Sequence, residues 1–304
     1  MAARPSPLLR AERRDAYLMI LPWVLGFLIF TAGPMVVSFV MIFMDWELIV
    51  SPVWVGLQNL DALSHDYYVP IALWNTAYYT FIEVPLQVAI ALAVAMLLNN
   101  RVPFIGYHRT VFYLPTVTPV VASALLWAYV FNPQFGLANA VLGWVGIAPL
   151  RWLYDPSTSK LSFIIMGLWG FGSGMVIFLA GLQGVPETLY EAASLDGAGR
   201  WGKFLHVTVP MITPMIFFNL VLGIIGSFQI FSSAYVITNG QGGPADSTLF
   251  FVLYLFRNAF QFFRMGYAST LAWLLFLIIM AFTVLQIWLS RRWVYYEADR
   301  GGAG

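Results

Sequence analysis

Six apolar runs, each about 20 to 28 residues long, constrain this chain more than any other feature. They are Tyr17–Phe43, Ile71–Leu98, Val111–Phe131, Leu161–Gln183, Met215–Ile237 and Gly266–Leu289. A helix of that length crosses a hydrocarbon core of about 30 Å. No water is available there, so the backbone must satisfy its own hydrogen bonds, and the helix does so within one segment. The expectation is an all-α polytopic membrane protein with about six transmembrane helices. Pro22 and Pro34 predict a kink or break in the first. Composition agrees: the chain is 60% hydrophobic and 10% charged, where soluble domains carry about 25% charged residues. Its 25 Phe and 12 Trp are more than one soluble core would bury, but lipid can solvate them.

Leu249–Phe263 is a shorter apolar stretch, interrupted by Arg257 and Asn258. It reads as an interfacial or re-entrant helix on the outer side, or alternatively as a seventh span. The segment from Asn132 to Lys160 carries Trp144, Trp152 and Tyr154, which suit a membrane interface. Six spans would put both termini on one side, and charge chooses the side. Arg4, Arg10, Arg13, Arg14, Arg101, Arg109, Arg200, Lys203, Arg291, Arg292 and Arg300 fall together, 11 of the 15 Lys and Arg. Arg151, Lys160, Arg257 and Arg264 fall opposite. The positive-inside rule therefore places both termini in the cytoplasm.

The organisation expected is a cytoplasmic segment 1–16, a first transmembrane helix with its outer loop 17–70, a membrane core 71–290 and a cytoplasmic tail 291–304. The core includes a polar loop, 184–214, facing the cytoplasm. From Pro186 to Pro214 it has its own helix signals: Pro186 for the first helical position, then Glu187 at the positive end of the dipole. Leu189, Ala192 and Ala193 make one small apolar face, and Gly197 fits a left-handed cap. A second short helix is expected to carry Trp201, Phe204 and Leu205 and to stop before Pro210.

Several chemistries are excluded. A net charge of +1 offers no basic field for nucleic acid. No cysteine means no disulfide, iron–sulfur cluster or thiol catalysis. His65, His108 and His206 lie in different loops, so no metal site and no catalytic triad is indicated. Gly197, Gly199 and Gly202 spell GxGxxG, but no βαβ context surrounds them. Gly197 to Lys203 spells GxxxxGK, yet Phe204 stands where the phosphate loop needs Ser or Thr. The glycines read as a tight turn.

What remains is a path for a solute. Polar side chains in spans face the bundle interior or a water-filled cavity. Trp169, Gly170 and Ser173 in the fourth run are candidates, as are Asn219, Gly226, Gln229 and Ser233 in the fifth. Asn219, Gly226 and Ser233 are seven apart and would share a helical face. A neutral, hydrogen-bonding, aromatic-flanked surface suits sugars. Gly172 and Gly223 could instead serve close helix packing. Glu83 is the one carboxyl deep in a run, two residues before Pro85. It could satisfy local polar groups, including the carbonyl that Pro85 frees, or pair with a partner subunit.

The spacing Glu191-Ala192-Ala193, three residues, Gly197, then Val207, Val209 and Pro210 resembles the EAA loop of the permease subunits of binding-protein-dependent ABC importers. Val207 and Val209 replace that pattern's usual Ile and Leu. The resemblance extends through FLAGLQGVPETLY, YVITNGQGGPADST, WNTAYYTFIEVPLQ and FYLPTVTPVVASALLWAYVFNPQFGLAN, so it covers nearly the whole chain. It is similar to the carbohydrate, maltose-type class. The resemblance implies a type I ABC importer permease fold in a bacterial or archaeal cytoplasmic membrane. It implies a second related permease, two ATP-binding subunits and an extracytoplasmic solute-binding protein as partners. It also implies that Glu191, Ala192, Ala193, Asp196 and Gly197 couple to the ATPase, and that ATP–Mg binds the partners, with no cofactor on this chain. A competing reading, an ion-coupled secondary transporter, would need paired ionisable residues in the spans, and only Glu83 is present.

Overall fold

The computed structural model describes residues 7–100 and 103–295. The expectations for Arg4, Arg101, Arg300 and most of the tail 291–304 lie outside the described residues. In chain order, α1 (Pro7–Phe27) and α2 (Gly33–Met41) are followed by β1 (Met44–Asp45), β2 (Val53–Trp54) and α3 (Gln58–His65). Next come α4 (Tyr68–Leu98), α5 (Ile105–Val117), α6 (Val120–Val130), α7 (Leu137–Trp144), α8 (Pro156–Leu168) and α9 (Gly172–Gln183). Then follow α10 (Glu187–Leu195), α11 (Arg200–Lys203), α12 (Val209–Phe228), α13 (Ser232–Thr238), α14 (Phe251–Phe256) and α15 (Met265–Ser290). Among the described residues, four helical stretches are long and apolar enough to cross a membrane, or six if two bent pairs each count as one span.

The chain forms two compact units, residues 1–65 with 258–273, and residues 66–257 with 274–304. In the first, α1 runs through Pro22 without ending and passes through a π-helical turn, Leu28–Ala32, into α2, so the helix continues through Pro34 as well. The extra residue of a π turn shifts the backbone ladder, so a proline that follows it does not have to interrupt a regular helix. The two-stranded hairpin is antiparallel, with Met44 opposite Trp54. The Asn59 amide holds it, donating to the carbonyls of Ile42 (2.8 Å) and Met44 (2.9 Å). The start of α15 joins this unit through the Met265 amide, which donates to Trp46 O at 3.0 Å. The Trp273 indole donates to Ser38 Oγ at 3.2 Å, and its ring meets Phe39 edge-on at 5.0 Å.

In the second unit α4 is the axis. Ala91 and Ala95, one turn apart and buried, let α9 come close, and Met175, Phe178, Leu179 and Leu182 fill the seam with Ile212 of α12. Small residues permit this approach where lipid supplies no hydrophobic drive. Gly172 belongs to the same packing: a Cβ there would lie 2.6 Å from Phe112 O. Asp155 caps α8, its carboxylate accepting from the amide (2.9 Å) and hydroxyl (2.6 Å) of Ser157. Those bonds hold its pKa below the ordinary aspartate value.

Three helices expected to be continuous are not. The third run breaks between α5 and α6 with a bend of 98°. Pro119 follows Thr118, which is extended (ψ 128°), because the proline ring excludes the helical conformation at the residue before it. The fourth run bends by 45° between α8 and α9. The fifth ends at Phe228 and restarts at Ser232, so Ser233 is not on one helical face with Asn219 and Gly226.

One expectation is refined and one corrected. Leu249, Phe250, Phe251 and Leu253, at the start of the stretch expected to be interfacial or re-entrant, are fully buried in protein. The reason lies on α4: Thr76 Oγ1 accepts from the Phe251 amide (2.9 Å), and the Asn75 amide donates to the carbonyls of Asp246 (2.8 Å) and Leu249 (3.2 Å). Non-helical backbone is thereby satisfied inside the protein. Trp152 is also buried, with its indole on Asn139 Oδ1 at 2.7 Å and its ring 4.9 Å from Phe131. Trp144 and Tyr154 are exposed, as expected of interfacial residues.

Candidate functional site

The three helix breaks of the second unit border one cavity of about 620 Å³. Pro115, Thr116, Thr118 and Val120 line it from the first break, Trp169 and Gly170 from the second, and Gln229, Ile230 and Phe231 from the third. Irregular backbone at membrane depth is tolerated where it is buried in protein or lines a water-filled cavity. All seven residues predicted for a solute path, Trp169, Gly170, Ser173, Asn219, Gly226, Gln229 and Ser233, line this space. Ser233 reaches it from α13, brought round by the chain break rather than by helical periodicity.

The lining is mostly neutral and hydrogen-bonding. Ser173 and Gln229 are exposed to it. Asn219 spends its amide on Met215 O of its own helix (2.9 Å) and keeps its carbonyl oxygen beside Gly174. Gly226 has nothing within 4 Å of where a Cβ would be, which leaves open space. Gly223 lines the cavity too, but a Cβ there would lie 2.7 Å from Val84 Cγ1, so both expected readings of it hold. Trp169 stands edge-on to Trp127 at 5.9 Å, and Trp127 stacks on Phe131 at 5.0 Å.

Sequence reasoning missed the α4 wall. Tyr79, Glu83 and Gln87, four apart, all line the cavity. The Gln87 amide donates to Gly167 O at 3.0 Å, and a Cβ at Gly167 would lie 2.8 Å from Glu83 Oε1. The i, i+4, i+8 polar pattern on an apolar helix was the available signal.

The 184–214 loop contributes nothing to the cavity lining, and most of α10 is exposed. Helix α10 begins at Glu187, one residue later than predicted, with Pro186 at its N-cap. It closes in a Schellman motif: the Ala198 amide donates to Ala193 O (2.8 Å) and the Gly197 amide to Ser194 O (3.1 Å). Gly197 takes φ +80°, as the left-handed cap requires. Glu191, Ala192, Asp196 and Gly197 are exposed, and Ala193 is half-buried. The second helix does not stop before Pro210. From α11 it passes through a π turn, Phe204–Thr208, straight into α12, and Pro210 and Pro214 sit within the continuation. The Tyr190 hydroxyl lies 3.0 Å from Thr208 Oγ1 and ties α10 to that turn. Leu195 and Trp201, 90% and 76% exposed, extend the apolar surface beyond the predicted face. The element leading into the Gly197–Gly202 turn is the helix α10, not a strand, and among the described residues no group of three His, Cys, Asp or Glu could hold a metal.

Residues 87–295 match the family described as the binding-protein-dependent transport system inner membrane component. The chain is 40% identical over 300 residues to the probable ABC transporter permease protein YesP of Bacillus subtilis, covering 98% of this chain and 97% of that one. It is 36% identical over 241 residues to the lactose transport system permease protein LacF of Rhizobium radiobacter, 78% of this chain and 80% of that. Its fold resembles a chain of the crystal structure of a bacterial ABC transporter involved in the import of the acidic polysaccharide alginate. There the TM-score is 0.78 at 24% identity, over 94% of this chain and 99% of that one. This likeness bears out the type I permease fold, and the family sets aside the ion-coupled alternative. The chain belongs to the binding-protein-dependent transport system inner membrane components: it is a multi-pass, non-enzymatic permease subunit of an ABC importer.

Proposed function

We propose that this chain forms half of an ATP-driven import path for a saccharide, in a bacterial or archaeal cytoplasmic membrane with both termini in the cytoplasm. The observation that carries the reading is the meeting of three helix breaks on one cavity lined by neutral hydrogen-bonding groups and aromatic rings. Hydroxyls find partners in Ser173, Asn219, Gln229 and Ser233, and Trp169, Gly170 and Gly226 leave an aromatic wall and open space. The relatives' names point to the same class, lactose among them. A second related permease would supply the other half of the path, and an extracytoplasmic solute-binding protein would load it.

Energy enters through the 184–214 loop. Glu191, Ala192, Ala193, Asp196 and Gly197 form a short capped helix whose exposed Leu195 and small Ala192 suit a groove on an ATP-binding subunit. ATP–Mg would be hydrolysed there, on two such subunits. Because α11 is continuous with α12, displacement of the loop is carried directly to the cavity wall at Asn219 and Gly226. Hydrolysis would thus alternate the access of the cavity between the two sides.

The test begins with Ser194→Cys, which places a lone thiol on the exposed loop. Labelling by an impermeant maleimide only from the cytoplasmic side is expected, as is copurification of ATP-binding subunits with the unlabelled chain. Labelling from outside would overturn the orientation and the coupling scheme together.

A further inference from the structure

Glu83 stands apart from everything else in the cavity. The residue is 4% exposed and lines a space whose other lining residues include no Lys, Arg, His, Asp or second Glu. Room has been made for it. Gly167 lies opposite, and a Cβ there would meet Glu83 Cγ and Oε1, each at 2.8 Å, and Tyr79 Oη at 2.6 Å. Gln87, one turn further along α4, is fixed by Gly167 O. The carboxyl for which the sequence left local polar partners near Pro85 or a partner subunit open therefore sits in the wall of the proposed solute space.

The nearest cation on the facing helix is engaged elsewhere. Lys160 Nζ donates to Asn75 Oδ1 at 2.9 Å and lies 5.4 Å from the Tyr78 ring centre. Asn75 is eight residues before Glu83 on the same helix, about 12 Å at 1.5 Å per residue. When ionised, as it is in the test at pH 8 below, the carboxylate acts through a medium less polar than bulk water on any ion that enters. An anion would find no lining cation to replace its hydration shell, and leaving a charge unpaired in such a place is expensive. An uncharged polyol would meet an acceptor for its hydroxyls.

We infer that Glu83, seated by Gly167, is a specificity residue that makes this half of the path favour uncharged saccharides and oppose anionic ones such as uronates. The inference rests on the saccharide-path reading above and adds to it a residue and a charge class.

The test uses the natural absence of cysteine. Ser173→Cys and, separately, Gly226→Cys are placed in the assembled importer complex and reacted at pH 8 with methanethiosulfonates that differ only in charge: cationic, neutral and anionic. The expected result is a cationic-to-anionic rate ratio at least about ten-fold above that of a free thiol, set by one nearby charge in a medium of low effective dielectric. Adding Glu83→Gln should return the ratio close to the free-thiol value while the neutral reagent's rate stays within about two-fold. Glu83→Asp should keep most of the bias. A ratio already at the free-thiol value, or one that Glu83→Gln leaves unchanged, overturns the inference and leaves the cavity reading standing. Failure of even the neutral reagent at both positions would show the space closed to water, and would overturn the path reading and this inference with it.

Discussion

The cavity and the 184–214 loop use the same small residues for opposite purposes. In the loop, Gly197 has φ +80° and nothing within 4 Å of its missing Cβ; only backbone conformation requires it. In the cavity wall, Gly167 sits inside α8, and what requires it is space, because Tyr79 and Glu83 already occupy the place of a side chain. The loop's carboxylates and Ala192 are exposed, and its helix is closed by a local cap. The cavity's polar groups are gathered from six helices and three breaks. The first region is thus a rigid surface made by a contiguous segment, and the second a concavity made by packing. Changes in the loop should disturb communication, and changes in the cavity should disturb assembly or the solute.

Gly167→Ala should have the largest effect, because its Cβ collides with a buried wall that has little freedom to yield. Overpacking of this kind costs about 1–3 kcal/mol. Thermal unfolding of the purified complex should show a lower midpoint, and the Glu83-dependent charge bias should weaken. An unchanged midpoint and bias would mean that the α4–α8 seam is looser than its distances indicate.

Ser173→Leu and Gln229→Leu come next. Each would leave a solute hydroxyl unpaired, at about 1–3 kcal/mol, or roughly five- to a hundred-fold in uptake rate. Basal ATP hydrolysis and assembly should persist, since both side chains face the cavity rather than a packed seam. Wild-type uptake kinetics in both variants would remove them from the path.

Gly197→Val should produce the reverse phenotype. A β-branched residue held at positive φ costs about 1–2 kcal/mol, so the cap opens and α10 loses its stop. Insertion and the cavity should be normal, while stimulation of ATP hydrolysis by the loaded binding protein falls roughly ten-fold. Ala193→Trp tests the same surface by bulk, with weakened association of the ATP-binding subunit as its readout. If both variants transport normally, the loop is only a connector and the contrast between the two regions collapses.

The smallest expected change is Tyr190→Phe. It removes the hydroxyl that meets Thr208 Oγ1, a bond worth about 0.5–1.5 kcal/mol. Partial uncoupling with intact assembly should result, because α10 would still be connected through its backbone. Full coupling in this variant would assign the tie between α10 and the π turn to the packing of Tyr190 and Val207 on the Leu182, Val185 and Ile212 cluster instead.

What the sequence determined by itself was whatever is local or repetitive. Run length set the membrane class, since about 20 apolar residues suffice to span the core and nothing tertiary is needed to know it. Glu191 to Gly197 were legible because a capped helix is decided by neighbours within one turn. Five of the seven proposed path residues were legible as polar side chains in apolar runs, because burying such atoms without a partner is costly wherever they end up. Tertiary structure decided the rest. It broke the fifth run, turned Ser233 towards the cavity from a separate helix, and buried Leu249–Leu253 against Asn75 and Thr76. It also placed Glu83, Tyr79 and Gln87 across from Gly167. Residues 83 and 167 are far apart along the chain, and neither carries a signal of the other. Only the packing of α4 on α8, where the missing side chain of one residue makes room for the carboxyl of the other, brings them to the same wall.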